Sequence, residues 1–504
     1  MDPGLGSREF AMKRRTLCAS ALSIAAANLI PLRKVLAEVA TDHDLTAVRT
    51  DGKSVTLTSA EIRELSSSLP GGVLLAGQNG YDDARRLWNG AFDRHPALIA
   101  RCTTAGDVVH AINFARSHSL LTAVRGGGHS VSGQSSCDGG LMIDLSPMKA
   151  IHVDAARRTA RVEPGVLLGD MDRATQASGL ATTAGTVTHT GVAGLTLGGG
   201  IGRLARKLGL ACDNLRSVEI VTAAGKQLRA SSQENADLFW GVRGGGGNFG
   251  IVTAFEFQLH PIGPKVYAGT MLFPYAQARE ILGALVEFAE RAPDEMYLTP
   301  FVGRMPEGLA VGFESCYCGV PDAGERLIAP LRRLGKPTLD ALSVQPYVQV
   351  QASTDGLFPP GRGYYIKSGF VSSVDPKLID EIVGRFEGAP PWVNNVLLIH
   401  AGGAMGRRKP DATAFWNRHA LHDLAVWAAW DKASDSSRDV VAVRDFWQPL
   451  EPYTRGYYVN TDIPDDEKRL RETYGGNYPR LVQLKNKYDP TNLFRLNANI
   501  RPSV

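Results

Sequence analysis

Glycine is clustered in this 504-residue chain, and the clusters constrain the fold more than any other feature does. Runs of glycine occupy residues 126–128, 198–200 and 244–247. Because glycine has no Cβ, such runs occur where one backbone approaches another backbone or a ligand closely. The chain therefore has to bring several backbone segments close together, against one another or around a bound molecule.

The basic excess of the chain lies in its amino-terminal part. The formal net charge is +4, and the first 37 residues hold six lysines and arginines against two acidic residues. The remainder is near neutral, whereas binding to nucleic-acid phosphates needs a concentrated basic surface. The sequence therefore predicts no nucleic-acid partner.

The amino terminus has the pattern of an export signal. Residues 1–11 resemble an expression-tag remnant, and residues 12–37 combine the pair Arg14-Arg15, an apolar stretch and a small residue at Ala37. This pattern is typical of a twin-arginine-like signal peptide and predicts a periplasmic or secreted protein. A disordered basic tail is the alternative. The apolar part is shorter than the ~20 residues that span a membrane, so we expect no membrane span in the mature chain.

The cysteines favour neither a metal centre nor a disulfide framework. Five cysteines lie beyond the signal-like segment, an odd number, and no C-x-x-C pair occurs. Structural zinc sites and disulfide scaffolds have regular cysteine spacing. His419 and His422 have i,i+3 spacing on a predicted helix, but a surface helix explains that spacing better than a metal site does. We predict no bound metal.

Helical and strand-like patterns alternate along most of the chain. The segment "DVVHAINFARSHS" predicts a helix with Asp107 as its cap, and "LLTAVR" a buried strand before the first glycine run. A boundary is expected in "HPIGPK" (260–265), which holds two prolines and a glycine. A second α+β region extends to about residue 450, and a later helix ends before Pro490.

Two glycine loops suggest phosphate binding without a Rossmann fold. "GGGNFG" (245–250) matches G-x-G-x-x-G, but the strand-like "IVTAFEFQL" follows where the fingerprint requires a helix. No P-loop motif occurs in the sequence. "RGGGHS" (125–130) also follows a strand and precedes no helix, and its backbone N–H groups can form an anion-binding nest. The nest explains the glycines but not the histidine.

Four motifs in order resemble one known family. They are "TAVRGGGHSVSG", "GVAGLTLGGGIGRLARKLGLACDNL", "DLFWGVRGGGGNFGIVTAFEF" and "YGGNYPRLVQLKNKYDPTNLFRLNANI". Together they resemble berberine-bridge-enzyme-like flavoproteins of the vanillyl-alcohol-oxidase group. The resemblance covers about residues 75–504. It implies an α+β fold with an FAD-binding domain of the vanillyl-alcohol-oxidase type, formed by residues 75–260 and a returning segment at 453–504. Residues 261–452 would form a substrate domain with an antiparallel sheet and helices.

The resemblance also implies which residues bind FAD. The histidine of the "RGGGHS" loop carries the flavin covalently in this family, which points to His129. Many members have a second, cysteinyl link, but Val187 stands at that position, so the resemblance implies a single covalent bond. The other implied FAD-binding residues are Arg125, Gly126, Gly127, Gly128, Ser130, Gly185, Thr186, Gly191, Gly194, Gly199, Gly202, Ile251, Val252, Asn497 and Asn499.

The catalytic residues are less well defined. Several members use the last tyrosine of a "Y-x-N-Y" strand as base, but this chain reads "YVNT", with Tyr458 first and Thr461 last. A threonine hydroxyl is not basic enough without activation. Tyr458 remains a candidate, and further candidates lie in strand-like segments that could face the substrate. They are Tyr365 and Lys367 in "YYIKS", His400 in "NVLLIH", His189 in "TVTHTG", and Tyr347, Gln349 and Gln351 in "YVQVQ".

The resemblance implies an FAD-linked oxidase. It would remove a hydride from an alcohol or amine carbon of a small organic substrate, with dioxygen as the acceptor. Two alternatives stay open, namely a dehydrogenase that uses another electron acceptor and a non-catalytic flavin-binding protein.

Overall fold

The computed structural model of the chain describes residues 43–431, 436–462 and 467–503. The predicted tag remnant and signal peptide lie outside these residues. All described residues belong to one compact unit, Thr41–Val504. The domain boundaries near residues 260 and 452 therefore stay predictions, while the α+β class itself is confirmed by the elements below.

The first region forms a small hairpin and a four-stranded sheet of order β3-β4-β6-β5, in which β4 and β5 both run parallel to β6. Thr104, not Asp107, is the N-cap of the predicted helix α3, and Asp107 is its capping-box partner at N3. The elements are β1 (Leu45–Val48), β2 (Ser54–Leu57), α1 (Ser59–Ser68), β3 (Val73–Leu75), α2 (Tyr81–Arg85), β4 (Leu98–Arg101), α3 (Ala105–Ser117), β5 (Thr122–Arg125) and β6 (Leu141–Asp144).

The second region forms a five-stranded antiparallel sheet of order β11-β10-β12-β8-β7. Strand β12 begins at Ile251, directly after the third glycine run, so the strand expected there instead of a Rossmann helix is present. The elements are β7 (Ile151–Asp154), β8 (Thr159–Val162), α4 (Leu168–Gln176), β9 (Leu180–Ala181), α5 (Val192–Leu197), α6 (Ala205–Leu208), β10 (Leu215–Val221), β11 (Gln227–Ser231), α7 (Ala236–Gly241), β12 (Ile251–Gln258) and β13 (His260–Pro261).

The third region forms an eight-stranded sheet of order β17-β14-β16-β15-β20-β21-β19, with β18 also paired to β14. Its elements are β14 (Lys265–Pro274), α8 (Ala278–Arg291), β15 (Met296–Met305), β16 (Gly308–Tyr317), α9 (Pro321–Ile328), β17 (Leu339–Asp340), β18 (Ser343–Pro346), α10 (Tyr347–Ala352), β19 (Gly363–Val371), α11 (Pro376–Glu387), β20 (Val393–His400), α12 (Ala404–Arg407), β21 (His422–Trp430) and α13 (Ser436–Trp447).

The two faces of this sheet have different roles because side chains alternate along a strand. On β15, Leu298 and Val302 join an apolar core with helices α8 and α11, whereas Thr299 and Phe301 face the opposite side. Helices α8 and α11 pack on one face, and the part of the other face that carries Thr299 and Phe301 forms the floor of a cavity.

Two sequence predictions about local structure are wrong. The segment "YVQVQ" lies in helix α10 and not in a strand, because Tyr347, Val350 and Gln351 become buried together at helical spacing. His419 lies in a turn and His422 begins strand β21, so the two histidines do not share a helix.

A buried ion pair fixes the carboxyl-terminal segment, which follows α14 (Glu467–Tyr474) and α15 (Tyr478–Tyr488). The Lys485 ammonium donates to Asp489 at 2.7 Å, to the Phe494 carbonyl at 2.9 Å and to the Asn248 carbonyl at 3.0 Å. The Ile500 N–H donates to the Asn248 side chain. The tail is thereby tied to the third glycine loop.

Replacing Lys485 by methionine should destabilise the protein strongly, because it leaves the buried Asp489 carboxylate without its cation. We expect a loss of ~3 kcal/mol or more in the free energy of unfolding, measured with urea. Lys487 on the same helix pairs with Asp237 at the surface, and Lys487→Met is the control that should change little. Equal effects of the two substitutions would contradict this account.

Candidate active site

A cavity of about 620 Å³ lies between the glycine loops and the open face of the eight-stranded sheet. One wall is mainly backbone: Gly126, Gly127, Gly128, Gly185, Gly191, Gly194, Gly198, Gly202, Gly246, Gly247 and Gly250. The floor is formed by side chains of the sheet: Thr270, Leu272, Tyr297, Thr299, Phe301, Met305, Glu314, Asn395, Leu397, Ile399, Asp423 and Trp427.

The glycine wall depends on close contacts between backbones. A Cβ on Gly127 would lie 2.4 Å from the Gly191 Cα, so any side chain there would force the two loops apart. At Gly194 and Gly247 a Cβ would meet nothing within 4 Å, and both residues line the cavity. Side chains at these two positions would extend into it. Glycine thus supplies both the packing of the loops and the space between them.

His129 lies at the cavity edge in a column of three rings. Trp88 stacks on the imidazole with centroids 4.1 Å apart, and Tyr364 stacks on the other face of Trp88 at 3.9 Å. The His189 ring is 5.0 Å from that of His129. His129 Nε2 is buried and has no hydrogen-bond partner among the described residues. Burial, together with the His189 ring, lowers the pKa of His129 to about 3, so the imidazole is neutral.

Most of the residues implied for the cofactor meet at this cavity. Outside its lining lie Arg125, Gly199 and Asn499. The Arg125 guanidinium bonds the buried Asp144 at 3.5 Å and lies against Gly128, so it stiffens the loop from behind. Gly199 packs against Phe415 instead. The remaining implied residues line the cavity: Gly126, Gly127, Gly128, His129, Ser130, Gly185, Thr186, Gly191, Gly194, Gly202, Ile251, Val252 and Asn497.

Tyr458 and Thr461 also line the cavity. The Tyr458 hydroxyl accepts hydrogen bonds from the Gly200 and Ile201 N–H groups at 3.0 and 3.1 Å and from Asn460 at 2.9 Å. Burial raises the pKa of Tyr458 to about 12 despite these donors. This hydroxyl fixes the second glycine run and stays protonated at neutral pH.

None of the seven further catalytic candidates lies in the cavity lining, and three of them, Tyr365, His400 and Gln349, have clear alternative surroundings. The Tyr365 hydroxyl accepts from Arg444 at 2.9 Å, where its ring packs on the helix side of the sheet. His400 is buried on that side, with both nitrogens engaged by backbone groups of Leu298 and Ala289. Gln349 is exposed on helix α10. The position of each of these side chains is explained by core packing, by hydrogen bonds or by exposure to solvent.

Asp423 is a cavity residue that the sequence analysis missed. It is fully buried on strand β21, and neither carboxylate oxygen has a hydrogen-bond partner among the described residues. Burial and the neighbouring Asp462 carboxylate raise the pKa of Asp423 to about 8. An aspartate within the apolar run "DLAVWAAW" is the signal that could have revealed it, because buried carboxylates are rare without a partner.

A second carboxylate, Glu314, lies on strand β16 of the same floor. The Arg203 guanidinium donates to Glu314 Oε1 through Nε at 2.8 Å, and the arginine side chain is 0% exposed. Arg203 also donates to Gln351 and to the Thr186 carbonyl. No lysine or arginine lines the cavity within the described chain, so an anionic substrate finds no cation there.

Metal and membrane features are not found in the described residues. No group of three histidine, cysteine or acidic side chains is arranged to hold a metal ion there. None of the described helices is long and apolar enough to cross a membrane.

Two family models match the chain. Residues 96–231 match the FAD binding domain, and residues 457–501 match the model described as berberine and berberine like. An FAD-linked oxidoreductase of Dictyostelium discoideum is 35% identical over 88% of this chain and 97% of its own length. The (R)-6-hydroxynicotine oxidase of Paenarthrobacter nicotinovorans is 33% identical over 86% of this chain and 97% of its own length.

Solved structures agree with these matches. The 6-hydroxy-D-nicotine oxidase from Arthrobacter nicotinovorans superposes with a TM-score of 0.80 at 31% identity, covering 86% of this chain and 99% of that one. A chitooligosaccharide oxidase has the same TM-score at 24% identity over 88% of this chain and 100% of its own, which shows a common fold. The chain therefore belongs to the berberine-bridge-enzyme-like family of FAD-linked oxidoreductases.

Proposed function

We propose that the chain is an oxidase that carries one FAD bound covalently to His129. It removes a hydride from an amine- or hydroxyl-bearing carbon of a small organic substrate and uses dioxygen as the acceptor. The observation that carries this proposal is the neutral, unpartnered His129 imidazole at the edge of a glycine-walled cavity. The family and the cavity support FAD; the covalent bond and the acceptor are our inference.

The residues present fit FAD. The space in front of Gly194 and Gly247 would be filled by any side chain, and the peptide groups of the first loop can donate to a pyrophosphate. His129 is ready to act as a nucleophile because a neutral imidazole keeps a free lone pair, and Trp88 and Tyr364 hold its plane. Val187 lines the cavity but has no thiol, which supports a single covalent bond.

Asp423 is the best candidate for the proton acceptor. Bound FAD would supply the hydride acceptor, and dioxygen would take up the two electrons and become hydrogen peroxide. The chain must then take one proton from the substrate N–H or O–H as the C=N or C=O bond forms. The unpartnered Asp423 carboxylate can accept it, whereas the Tyr458 phenol stays protonated and occupied by backbone donors.

His129→Ala should leave the flavin removable by acid. Trichloroacetic acid precipitation of the unmodified protein should give a yellow pellet and a colourless supernatant, and the variant the reverse, because only the covalent bond survives unfolding. His152→Ala, an exposed histidine on β7, is the control and should keep a yellow pellet. A yellow supernatant from the unmodified protein would overturn the covalent attachment.

Val187→Cys should add a second covalent bond if Val187 faces the ring edge. The measurement is mass spectrometry of flavin-bearing peptides, with Val187→Ser as the control that offers no thiol. The expected result is one flavin joined to two peptides. Recovery of the new cysteine as a free thiol in the fully flavinylated protein would contradict the assigned position.

Asp423→Asn should reduce the activity and remove the titration of this carboxyl from the pH dependence of kcat/KM. With the carboxylate as acceptor, kcat/KM rises with pH through about 8, and the variant should lose ~10²–10⁴-fold at the plateau. Because the folded-state pKa lies above the unfolded value of 3.8, the unfolded chain loses its proton first, and the free energy of unfolding falls as pH rises from about 4 to about 8. The variant lacks this titration, so its melting temperature relative to that of the unmodified protein should rise from about pH 4 to about pH 8 and change little between about pH 8 and about pH 9. A variant with unchanged activity would exclude Asp423 as the acceptor.

The acceptor is tested by reducing the loaded protein anaerobically with a substrate found by flavin bleaching, drawn from amines, alcohols and sugars. Admission of air should reoxidise the flavin at a rate matching turnover and yield one hydrogen peroxide per product. Slow reoxidation that an artificial electron carrier accelerates would instead favour the dehydrogenase. Absence of bleaching by every compound would favour a flavin-binding protein without catalysis.

A further inference from the structure

The floor of the cavity carries two carboxylates at a fixed separation. In the sheet order, β16, β15, β20 and β21 are successive neighbours. The strand register pairs Thr299 with Glu314 and Ile399 with Asp423. The pairing of Phe301 with Leu397, two residues further along, sets Thr299 opposite Ile399. Glu314 and Asp423 therefore lie at the two ends of one row across the sheet. Three strand spacings of ~4.8 Å separate the two acidic residues by ~14 Å.

Glu314 is held rigidly and presents a single free acceptor. Its Oε1 receives both Nε and Nη2 of Arg203 at 2.8 and 2.5 Å. Among the described residues no donor bonds its Oε2, and the side chain lines the cavity with 19% of its surface exposed. The buried guanidinium balances the charge of the carboxylate. An acceptor of this kind recognises a neutral hydroxyl or N–H donor.

Thr299 and Ile399 lie in the row between the two carboxylates, and the floor beside this row is largely apolar. Phe301 and Leu397 form the next row of the floor, and Trp427 and Phe358 close its side. The rim continues this character, since Leu339 and Leu357 line the cavity and are 43% and 66% exposed. An aromatic ring would bury its faces against Phe301 and Leu397.

We propose that Glu314 is a specificity-determining residue that selects ring-bearing substrates with a hydroxyl or N–H donor remote from the oxidised carbon. The inference rests on the proposed function, because it places the reacting end at Asp423. Both side chains rise from the same face of the sheet, so the ~14 Å between their strands approximates the separation of their carboxylates, and two hydrogen bonds of ~2.9 Å leave ~8 Å between the two polar ends of the substrate. A para-substituted phenyl ring with a two-carbon side chain has this length.

The probes are two matched pairs that differ only in a ring hydroxyl. They are 2-(4-hydroxyphenyl)ethylamine with 2-phenylethylamine, and 2-(4-hydroxyphenyl)ethanol with 2-phenylethanol. Each is titrated calorimetrically into anaerobically reduced holoenzyme, which cannot accept a hydride, so that binding is measured without turnover. The hydroxylated member of at least one pair should bind at least about tenfold more tightly, because it alone reaches the Glu314 carboxylate.

Glu314→Gln should reverse this preference and not merely weaken it. Arg203 requires an oxygen acceptor, so the glutamine amide oxygen takes that place and its NH₂ group faces the cavity. A donor now meets a donor, and the 4-methoxy analogue, which can only accept, should bind more tightly than the 4-hydroxy compound. Glu256→Gln is the matched control, because Glu256 pairs with Arg229 outside the cavity. This control should keep the hydroxyl preference.

Different results identify which idea has failed. Unmodified protein that binds no flavin, or whose flavin no amine or alcohol bleaches, overturns the proposed function and with it this inference. Loaded, active protein that binds both members of each pair equally, or neither member of either pair, overturns the role of Glu314 alone. So does a hydroxyl preference that survives Glu314→Gln in a variant with an unchanged melting temperature.

Discussion

The contact between the backbones of Gly127 and Gly191 determines whether the cavity can exist. At 2.4 Å from a would-be Cβ, these loops touch at a distance that only glycine permits. The contact places the first loop, with its histidine, beside the segment that begins helix α5, and both then face the sheet floor. The tail joins them through Asn248, whose side chain and carbonyl are held by Ile500 and Lys485. Loops distant in sequence thus form one wall.

The floor opposite that wall carries polar groups that weaken the fold. Asp423 is buried without a hydrogen-bond partner, and Thr299 Oγ1, Asn395 Oδ1 and Trp427 Nε1 are also unpartnered among the described residues. Burying such groups is unfavourable unless something binds them. Their concentration on the face that lines the cavity is typical of a surface selected for binding a ligand and not for stability.

The residues of the glycine wall could be predicted from the sequence, whereas the residues of the sheet floor could not. Glycine runs, the histidine between them and the strand after "GGGNFG" are local signals, and the structure brings nearly all of the implied cofactor residues to one cavity. The floor depends on which strands become neighbours and which face the helices cover. Tyr365 and His400 sit in strands, as expected, but on the covered face. Alternation in "YVQVQ" predicts that Gln349 lies on a strand face, but this segment is a helix and its buried residues follow helical spacing.

Asp423 shows why the floor is hard to predict. Its significance comes from tertiary burial and from Asp462, which is 39 residues away in the sequence. The role of Glu314 likewise depends on its ion pair with Arg203, which lies just after the glycine run 198–200. No periodicity within a single strand encodes either relation.

The stacked rings of His129, Trp88 and Tyr364 limit which strands of the large sheet can accept substitutions. Trp88 joins the His129 loop to Tyr364 on β19, and Asn89 bonds the Val131 carbonyl and both backbone groups of Tyr364. Changes on β19 therefore disturb the imidazole, although β19 itself supplies no residue to the cavity lining. Strands β14, β15 and β16 have no part in this column. Substitutions that alter substrate choice are thus tolerated best on those three strands, and β19 is the strand of the sheet least free to vary.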